Sequence, residues 1–127
     1  MNIIIVEDDP DTREIFTRAF TRRGHDVTTF GHGQEALDHF NTMGAALPDA
    51  ILLDVNLPGV SGIYLLRILR QKLGLTDLPV VMVTANSVAV DAAEMKLASA
   101  VLSKPISLKQ LTETVQSLVN VDTPLSE

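Results

Sequence analysis

A short apolar run in the middle of the chain ends on a carboxylate and is followed by a turn. Residues 50–53 are Ala-Ile-Leu-Leu, Asp54 comes next, and Pro58-Gly59 follows shortly after. A strand covered on both faces is apolar throughout, whereas a strand with one solvated face alternates apolar and polar residues. The run therefore predicts a central strand of a parallel sheet, with Asp54 at its carboxyl end. An isolated Asp there often only caps a loop, but in open α/β sheets this edge is also where ligands bind.

Strand and helix patterns alternate along the rest of the chain. Apolar or β-branched runs at residues 3–6, 26–30, 80–83 and 100–102 predict four more strands, of which the more polar second one is expected at a sheet edge. Apolar residues that recur at spacings of three and four predict helices between and after the strands. This order predicts an α/β fold with a doubly wound, five-stranded parallel sheet and helices on both faces. The helices are predicted from Pro10 to Gly24, onward from Gly33, over 62–72, over 87–98 and onward from Ser107. The residues expected to face inward are Ile15, Phe16, Ala19, Phe20, Ala36, Leu37, Phe40, Ile63, Leu66, Leu69, Leu73, Leu108, Leu111, Val115 and Leu118.

Length and composition exclude several classes of protein. The 127 residues suit one domain, over residues 1–120, with a polar tail at 121–127. The chain has no cysteine, so disulfides and thiolate chemistry are excluded. A net charge of -6 and a pI near 4.9 argue against direct nucleic-acid binding, because phosphates require a basic surface. The sequence has neither a secretory signal nor a membrane span, so we expect a cytoplasmic protein without membrane contact.

Polar residues follow four of the predicted strands. Glu7 and Asp8 follow the first strand, Asp54 the third, Thr84 the fourth and Lys104 the fifth. The carboxyl ends of parallel strands share one edge of the sheet, so these side chains are expected to converge. Three carboxylates together suit Mg²⁺, which prefers oxygen ligands and commonly takes one or two carboxylates plus a phosphate oxygen. The hydroxyl and the ammonium would meet the charge of a phosphoryl group, with Asp54 as its nucleophilic acceptor.

These residues carry a resemblance to a known family. The chain resembles the receiver domain of bacterial response regulators, the CheY-like phosphoacceptor module of two-component signalling, over nearly its whole length. The resemblance implies a flavodoxin-like (βα)5 fold with strand order 2-1-3-4-5. It rests on four pieces in order, which are Glu7-Asp8, residues 54–58 (Asp-Val-Asn-Leu-Pro) with Gly62 following, Thr84-Ala85 and Lys104-Pro105.

The resemblance implies a role for each acidic residue. Asp54 would accept a phosphoryl group from a histidine kinase or a histidine phosphotransfer protein. Asp8 and Asp54 would ligate Mg²⁺ together with the backbone carbonyl of Asn56, and Glu7 would assist through a water molecule. The chain would then be a signalling domain and not an enzyme, catalysing at most its own phosphorylation and dephosphorylation.

The resemblance also assigns the residues that respond to phosphorylation. Thr84 and Lys104 would contact the phosphoryl oxygens, and the Lys104–Pro105 peptide bond would be cis. Two positions depart from the family pattern. Val101 stands where an aromatic residue usually acts as a switch, and Leu97 replaces a small residue before the fifth strand. These departures leave the phosphorylation chemistry intact and bear on the output switch.

The output surface is predicted from the acyl phosphate, which should draw in Thr84 and Lys104 and pull on the loops that flank residues 87–102. A downstream protein or output domain is expected to bind the face formed by the fourth helix, the fifth strand and the fifth helix. The same face would also serve a possible homodimer.

Three alternatives were compared with this interpretation. A flavodoxin-type FMN site needs N–H and hydroxyl donors after the first strand, whereas residues 7–9 are acidic and would repel phosphate. A phosphatase with an aspartyl nucleophile would have a second carboxylate two residues later, where this chain has Asn56. The strongest alternative is an interaction module of the same fold that works without phosphorylation, because Val101 and Leu97 depart from the family pattern.

Overall fold

A computed structural model describes residues 1–85 and 92–119, and within these ranges strands and helices alternate as predicted. The strands are β1 (Asn2–Val6), β2 (Asp26–Phe30), β3 (Ala50–Asp54), β4 (Val80–Thr84) and β5 (Ala100–Ser103). The helices are α1 (Pro10–Thr21), α2 (Gly33–Thr42), α3 (Gly62–Arg67), α4 (Ala92–Met95) and α5 (Leu108–Val119). A π-helix, Ile68–Lys72, continues α3 without a break.

The five strands form one parallel sheet in the order β2-β1-β3-β4-β5, which confirms the predicted fold class. The polar strand β2 lies at an edge, as expected from its composition. The register aligns the strands at their carboxyl ends, since Asp54 pairs with Val83 and Thr84 pairs with Ser103. This alignment brings the ends of β1, β3, β4 and β5 to one edge.

The central strand β3 is buried along its whole length because helices cover both faces of the sheet. Ile51 and Leu53 point into one apolar cluster, and Ala50 and Leu52 point into the other. This alternation is the two-residue period of a strand, and it explains why a strand covered on both sides is apolar throughout. Helices α2 and α3 supply side chains to the first cluster, and α1 and α5 to the second.

Side chains cap α1 and α5, which begin near the carboxyl edge of the sheet. Asp9 accepts a hydrogen bond from the backbone N–H of Thr12 at 2.9 Å and precedes Pro10, the first residue of α1. Ser107 accepts from the N–H of Gln110 at 3.0 Å at the start of α5. Each cap satisfies an N–H group that has no partner within the helix, which fixes the first residue of the helix.

Two residues predicted to face inward do not. Ile15 is 49% exposed and Leu108 is 41% exposed. Both border one cleft between α1 and the start of α5, together with Lys104 and Pro105. Helical periodicity places a residue on the apolar side of its helix, but here that side extends past the sheet and faces the cleft.

Two further predictions differ from the structure or lie outside the described residues. The helix predicted over 87–98 is seen as α4, which ends at Met95, and a turn follows it. Residues 86–91 and the predicted polar tail at 121–127 lie outside the described residues. Within the described ranges, no helix combines the length and the apolar character needed to cross a membrane.

Candidate functional site

The site lies where β3 ends and α3 begins. Asp54 is the last residue of β3, and the N–H of Gly62 donates to the backbone carbonyl of Val55 at 3.1 Å. A Cβ atom at Gly62 would overlap the backbone carbonyl oxygen of Asp54. A residue without a side chain is therefore required for the start of α3 to approach the strand end this closely.

Three carboxylates converge at this edge. One oxygen from each of Glu7, Asp8 and Asp54 lies within 4.8 Å of the others. Glu7 and Asp54 are buried, with 1% and 4% of their surface exposed, whereas Asp8 is exposed. The cluster is therefore open to solvent on the side of Asp8 and enclosed on the other two.

The Lys104 ammonium joins the two buried carboxylates. Its Nζ lies 3.0 Å from Oε1 of Glu7 and 3.0 Å from Oδ2 of Asp54. The backbone N–H of Lys104 donates to the carbonyl of Thr84 at 2.8 Å, and the Lys104–Pro105 peptide bond is cis. The end of β5 is thus tied to the end of β4, with the lysine side chain directed at the acidic cluster.

The buried position of Glu7 changes its acidity. Burial raises the pKa of Glu7 to about 7, and the neighbouring charge of Asp54 acts in the same direction. The N–H of Asp9, which donates to Glu7 at 3.1 Å, and the ammonium of Lys104 oppose this shift. The carboxyl group of Glu7 therefore takes up a proton at higher pH than an ordinary carboxyl does, which lessens its repulsion of Asp54.

Opposing effects act on Lys104. Burial lowers the pKa of the Lys104 ammonium. The hydrogen bonds to Glu7 and Asp54 and the charges of both groups together raise that pKa by more than burial lowers it, so it lies above its ordinary value. The lysine therefore stays charged at neutral pH. A fixed positive charge beside Asp54 is suited to meeting the negative charge of a bound anion.

The two oxygens of Asp54 have different partners. Oδ1 accepts the backbone N–H of Asn56 at 2.9 Å, and Oδ2 accepts from Lys104. Both bonds hold the carboxylate in one orientation at the end of a buried strand. Such a group can act as a metal ligand or, when an electrophile is aligned with it, as a nucleophile.

The structure places the remaining predicted residues on neighbouring strands and loops. Thr84 is fully buried at the end of β4, one strand from Asp54. Val101 is 40% exposed on the edge strand β5, and Leu97 is partly buried against the core. Asn56 is exposed in the loop after β3.

The oxygen atoms of the carboxylate cluster fit a hard divalent cation. Three carboxylates within ligand reach of one centre, with one side open to water, match the preference of Mg²⁺ for oxygen ligands and retained waters. The side chains that would hold it are those of Glu7, Asp8 and Asp54. The carbonyl of Asn56 as a further ligand stays a prediction.

One neighbour of the site was missed from the sequence. Arg13 on α1 donates from its guanidinium to the backbone carbonyl of Glu7 at 2.8 Å, and it also lies against Gly31. The bond fixes the backbone directly after β1, at the residues that carry the first two carboxylates of the cluster. Its only sequence signal is a basic residue on the first helix, and that signal does not distinguish it from the exposed arginines nearby.

Comparison with known proteins agrees with this geometry. The family described as response regulator receiver domain matches residues 3–116. Among curated proteins, the DNA-binding response regulator MtrA of Mycolicibacterium smegmatis is 35% identical over 127 residues, an alignment that covers 96% of this chain and 53% of MtrA. The chain thus spans about half the length of this curated relative.

Solved structures share the fold and nearly the full length. The receiver domain of the Francisella response regulator 1452 has a TM-score of 0.82 at 30% identity, covering 94% of this chain and 97% of that one. The response regulator TrrA from Thermotoga maritima, solved in complex with Mg²⁺ and BeF, has a TM-score of 0.80 at 27% identity and covers 92% of this chain and 97% of that one. The chain therefore belongs to the family of receiver domains of two-component response regulators.

Proposed function

We propose that Asp54 is the phosphorylated residue of this receiver domain and that Mg²⁺ held by Glu7, Asp8 and Asp54 is required for the transfer. The observation that carries the proposal is the position of Asp54. Its carboxylate ends the central strand within 4.8 Å of the other two carboxylates and 3.0 Å from an ammonium. This arrangement brings together a nucleophile, a cation site and a positively charged hydrogen-bond donor.

The transfer follows from the chemistry of these groups. A carboxylate oxygen of Asp54 attacks the phosphorus of a phosphohistidine, the P–N bond breaks, and the imidazole leaves and takes up a proton. The product is an acyl phosphate on Asp54. The ammonium of Lys104 and the hydroxyl of Thr84 meet the charge on the phosphoryl oxygens, because preorganised donors stabilise charge that develops in the transition state. The cation, when bound, neutralises the acidic cluster so that an anionic donor can approach.

The donor is proposed to be a histidine kinase or a histidine phosphotransfer protein. Receiver domains of response regulators are phosphorylated by histidine kinases, and the acidic cluster and family match do not favour the phosphorylation-independent alternative. We place the domain in the cytoplasm, with residues 1–120 as the receiver unit. As a signalling domain, it would catalyse only its own phosphorylation and dephosphorylation.

The output face is proposed to comprise α4, β5 and α5. Val101 leaves 40% of its surface exposed on β5, so this face offers an apolar contact to a downstream domain, a partner protein or a second copy of the chain. The curated relative MtrA is described as DNA-binding and is about twice as long as this chain. In a longer protein of that kind, a second domain would bind the DNA, because the net charge of this chain is -6.

Labelling with a small acyl phosphate tests the phosphorylation site. Wild type incubated with acetyl phosphate and Mg²⁺ should gain the mass of one phosphoryl group, and omitting Mg²⁺ should prevent it. Asp54→Asn should gain nothing, whereas Asp11→Asn, an exposed carboxylate on α1, should label like wild type. Stoichiometric labelling of Asp54→Asn at another residue would overturn the assignment.

Hydrogen exchange tests the output. With beryllium fluoride and Mg²⁺, the acyl-phosphate mimic should draw in Thr84 and Lys104 and change amide protection within residues 84–85 and 92–104, first of all at 84–85 and 92–95. Val101 is too small to act as an aromatic gate, so the change is expected as a backbone shift over about residues 88–97 of the helix predicted over 87–98, whose described part is α4. Protection changes confined to the loop after Asp54 would contradict this mechanism.

A further inference from the structure

Arg70 has a buried guanidinium whose hydrogen bonds go to neutral oxygens. Only 8% of Arg70 is exposed. Its Nε donates to the carbonyl of Leu97 at 2.7 Å, one terminal nitrogen donates to the carbonyls of Leu75 and Leu78, each at 2.6 Å, and the other donates to Oγ of Ser99 at 3.2 Å. Four acceptors from two segments, the connection after α4 and the loop before β4, thus meet one side chain.

Burying this charge is unfavourable unless its bonds repay the lost hydration. Burial lowers the pKa of Arg70, and the charge of Asp77 opposes that shift. Hydrogen bonds from a charged donor are stronger than neutral ones, and the planar guanidinium fixes the directions of several at once. The bonds of Arg70 therefore fix the relative position of the segments that they join. They hold the segment after α4 against the π-helix that carries Arg70 and against the loop leading into β4.

Ser99 holds the same segment from the other side. Its Oγ accepts the N–H of Val80 at 3.0 Å, and its own N–H donates to the carbonyl of Val80 at 2.8 Å. Leu97 and Ala98 pack against the core beside it. Residues 97–99, which we call the rear connection, are therefore fixed by a charged clamp, two backbone-anchored bonds and apolar packing.

The rear connection lies at the opposite edge of the sheet from the phosphorylation site. Val80 begins β4 and Thr84 ends it, so about 13 Å of strand separates the two edges. Between them, Glu94 on α4 pairs with Arg67 on α3, and the Arg67 side chain in this pair is 47% exposed. Exposed pairs contribute little, so this ion pair adds less to the position of α4 than the bonds of Arg70 add to that of residues 97–99.

We propose that Arg70 makes the rear connection a fixed pivot, so that phosphorylation displaces the Thr84 side of the α4 region while residues 97–99 stay in place. This inference rests on the proposed function and specifies how its output movement is constrained. A ligand shifts the equilibrium between two conformations only through contacts that differ between them. The contacts of Arg70 and Ser99 are remote from the phosphoryl group, so we expect them to be the same in both states, whereas those of Thr84 and Lys104 are expected to change.

Residue-resolved hydrogen exchange of the wild-type protein, with and without beryllium fluoride and Mg²⁺, tests the pivot directly. Amides of residues 84–85 and 92–95 should change, and the amide of Ser99, which donates to the carbonyl of Val80, should change less than about twofold. Equal changes in both groups would overturn the pivot. If even the amides after Asp54 do not respond, the proposed function fails instead, so the two failures are distinguishable.

Variants test the cause. Arg70→Lys keeps the charge but lacks the planar fork, and Ser99→Ala removes one acceptor with little change in volume. In both variants, the amides of residues 97–99 should exchange about tenfold faster than in wild type, which corresponds to about 1.4 kcal/mol. Beryllium fluoride should then also change the exchange of these amides. Arg18→Lys is the control, because Arg18 is exposed on α1 and pairs only with Glu14 among the described residues. If Arg70→Lys does not fold, Ser99→Ala alone tests the proposal. A wild-type exchange pattern in the variants that fold would refute the role of the Arg70 and Ser99 bonds.

Discussion

Magnesium should stabilise the unphosphorylated domain. Glu7, Asp8 and Asp54 bring three carboxylates together, and Lys104 supplies one ammonium against them. Oxygens within 4.8 Å of one another repel by about 3 kcal/mol for each fully ionised pair at an effective dielectric constant of about 20. Solvent around Asp8 and protonation of Glu7 reduce this repulsion. A bound divalent cation would remove most of what remains.

The size of the effect follows from linkage between binding and folding. At about ten times its dissociation constant, the cation adds about 1.4 kcal/mol to the free energy of unfolding. For a domain of 127 residues this raises Tm by about 5 °C, because the entropy of unfolding scales with chain length. Asp8→Ala removes one ligand of the cation, so the variant should lose most of the Tm response to Mg²⁺. It also removes one repelling charge, so in the absence of Mg²⁺ the variant should be no less stable than wild type.

Thermal unfolding with increasing Mg²⁺, followed by circular dichroism, measures the response. Asp11→Ala is the matched control, since Asp11 is exposed in the first turn of α1 and is not part of the carboxylate cluster. It should respond like wild type. A Tm that does not depend on Mg²⁺ in wild type, or a full response in Asp8→Ala, would refute the metal site.

Two further substitutions test the geometry of the site. Lys104→Met should slow acyl-phosphate labelling by about 100-fold or more, because a donor to the transferring phosphoryl group is lost; the exposed Lys109→Met should label at the wild-type rate, and equal rates in both would contradict the role of Lys104. Gly62→Ala should lower the free energy of unfolding in urea by about 2–3 kcal/mol, because its Cβ overlaps the backbone carbonyl oxygen of Asp54. Gly44→Ala, which meets only open space at a φ of 57°, should cost less, and a Gly62 variant as stable as wild type would refute the close approach.

The order of strands and helices was predictable because its signals are local. The continuous apolar run over residues 50–53 reflects burial on both faces, and the five-stranded sheet confirms this interpretation. Asp9 and Ser107 precede helices that they cap through bonds to residues three positions later. Such bonds depend on nearby residues, so the sequence alone specifies them.

The faces of the helices were less predictable. Ile15 and Leu108 fit the helical period, but each faces the cleft between α1 and α5. The widening of α3 into a π-helix at Ile68–Lys72 has no local signal either, and it is this turn that carries Arg70. Both features depend on which element packs against the helix, and periodicity contains no information about that.

Residue identities at the strand ends can be taken from the amino-acid sequence, and the parallel topology requires those ends to share an edge. The distances between these side chains, which make the site, depend on the folded chain. Lys104 lies 97 residues from Glu7 along the chain and contacts it at 3.0 Å, and the burial that raises the pKa of Glu7 comes from elements packed around it. Strand register and packing set such distances collectively, because shifting one strand by one residue would turn its side chains to the opposite face. Chemistry at this edge is therefore specified by local residue identity, and its geometry by contacts between residues distant in sequence.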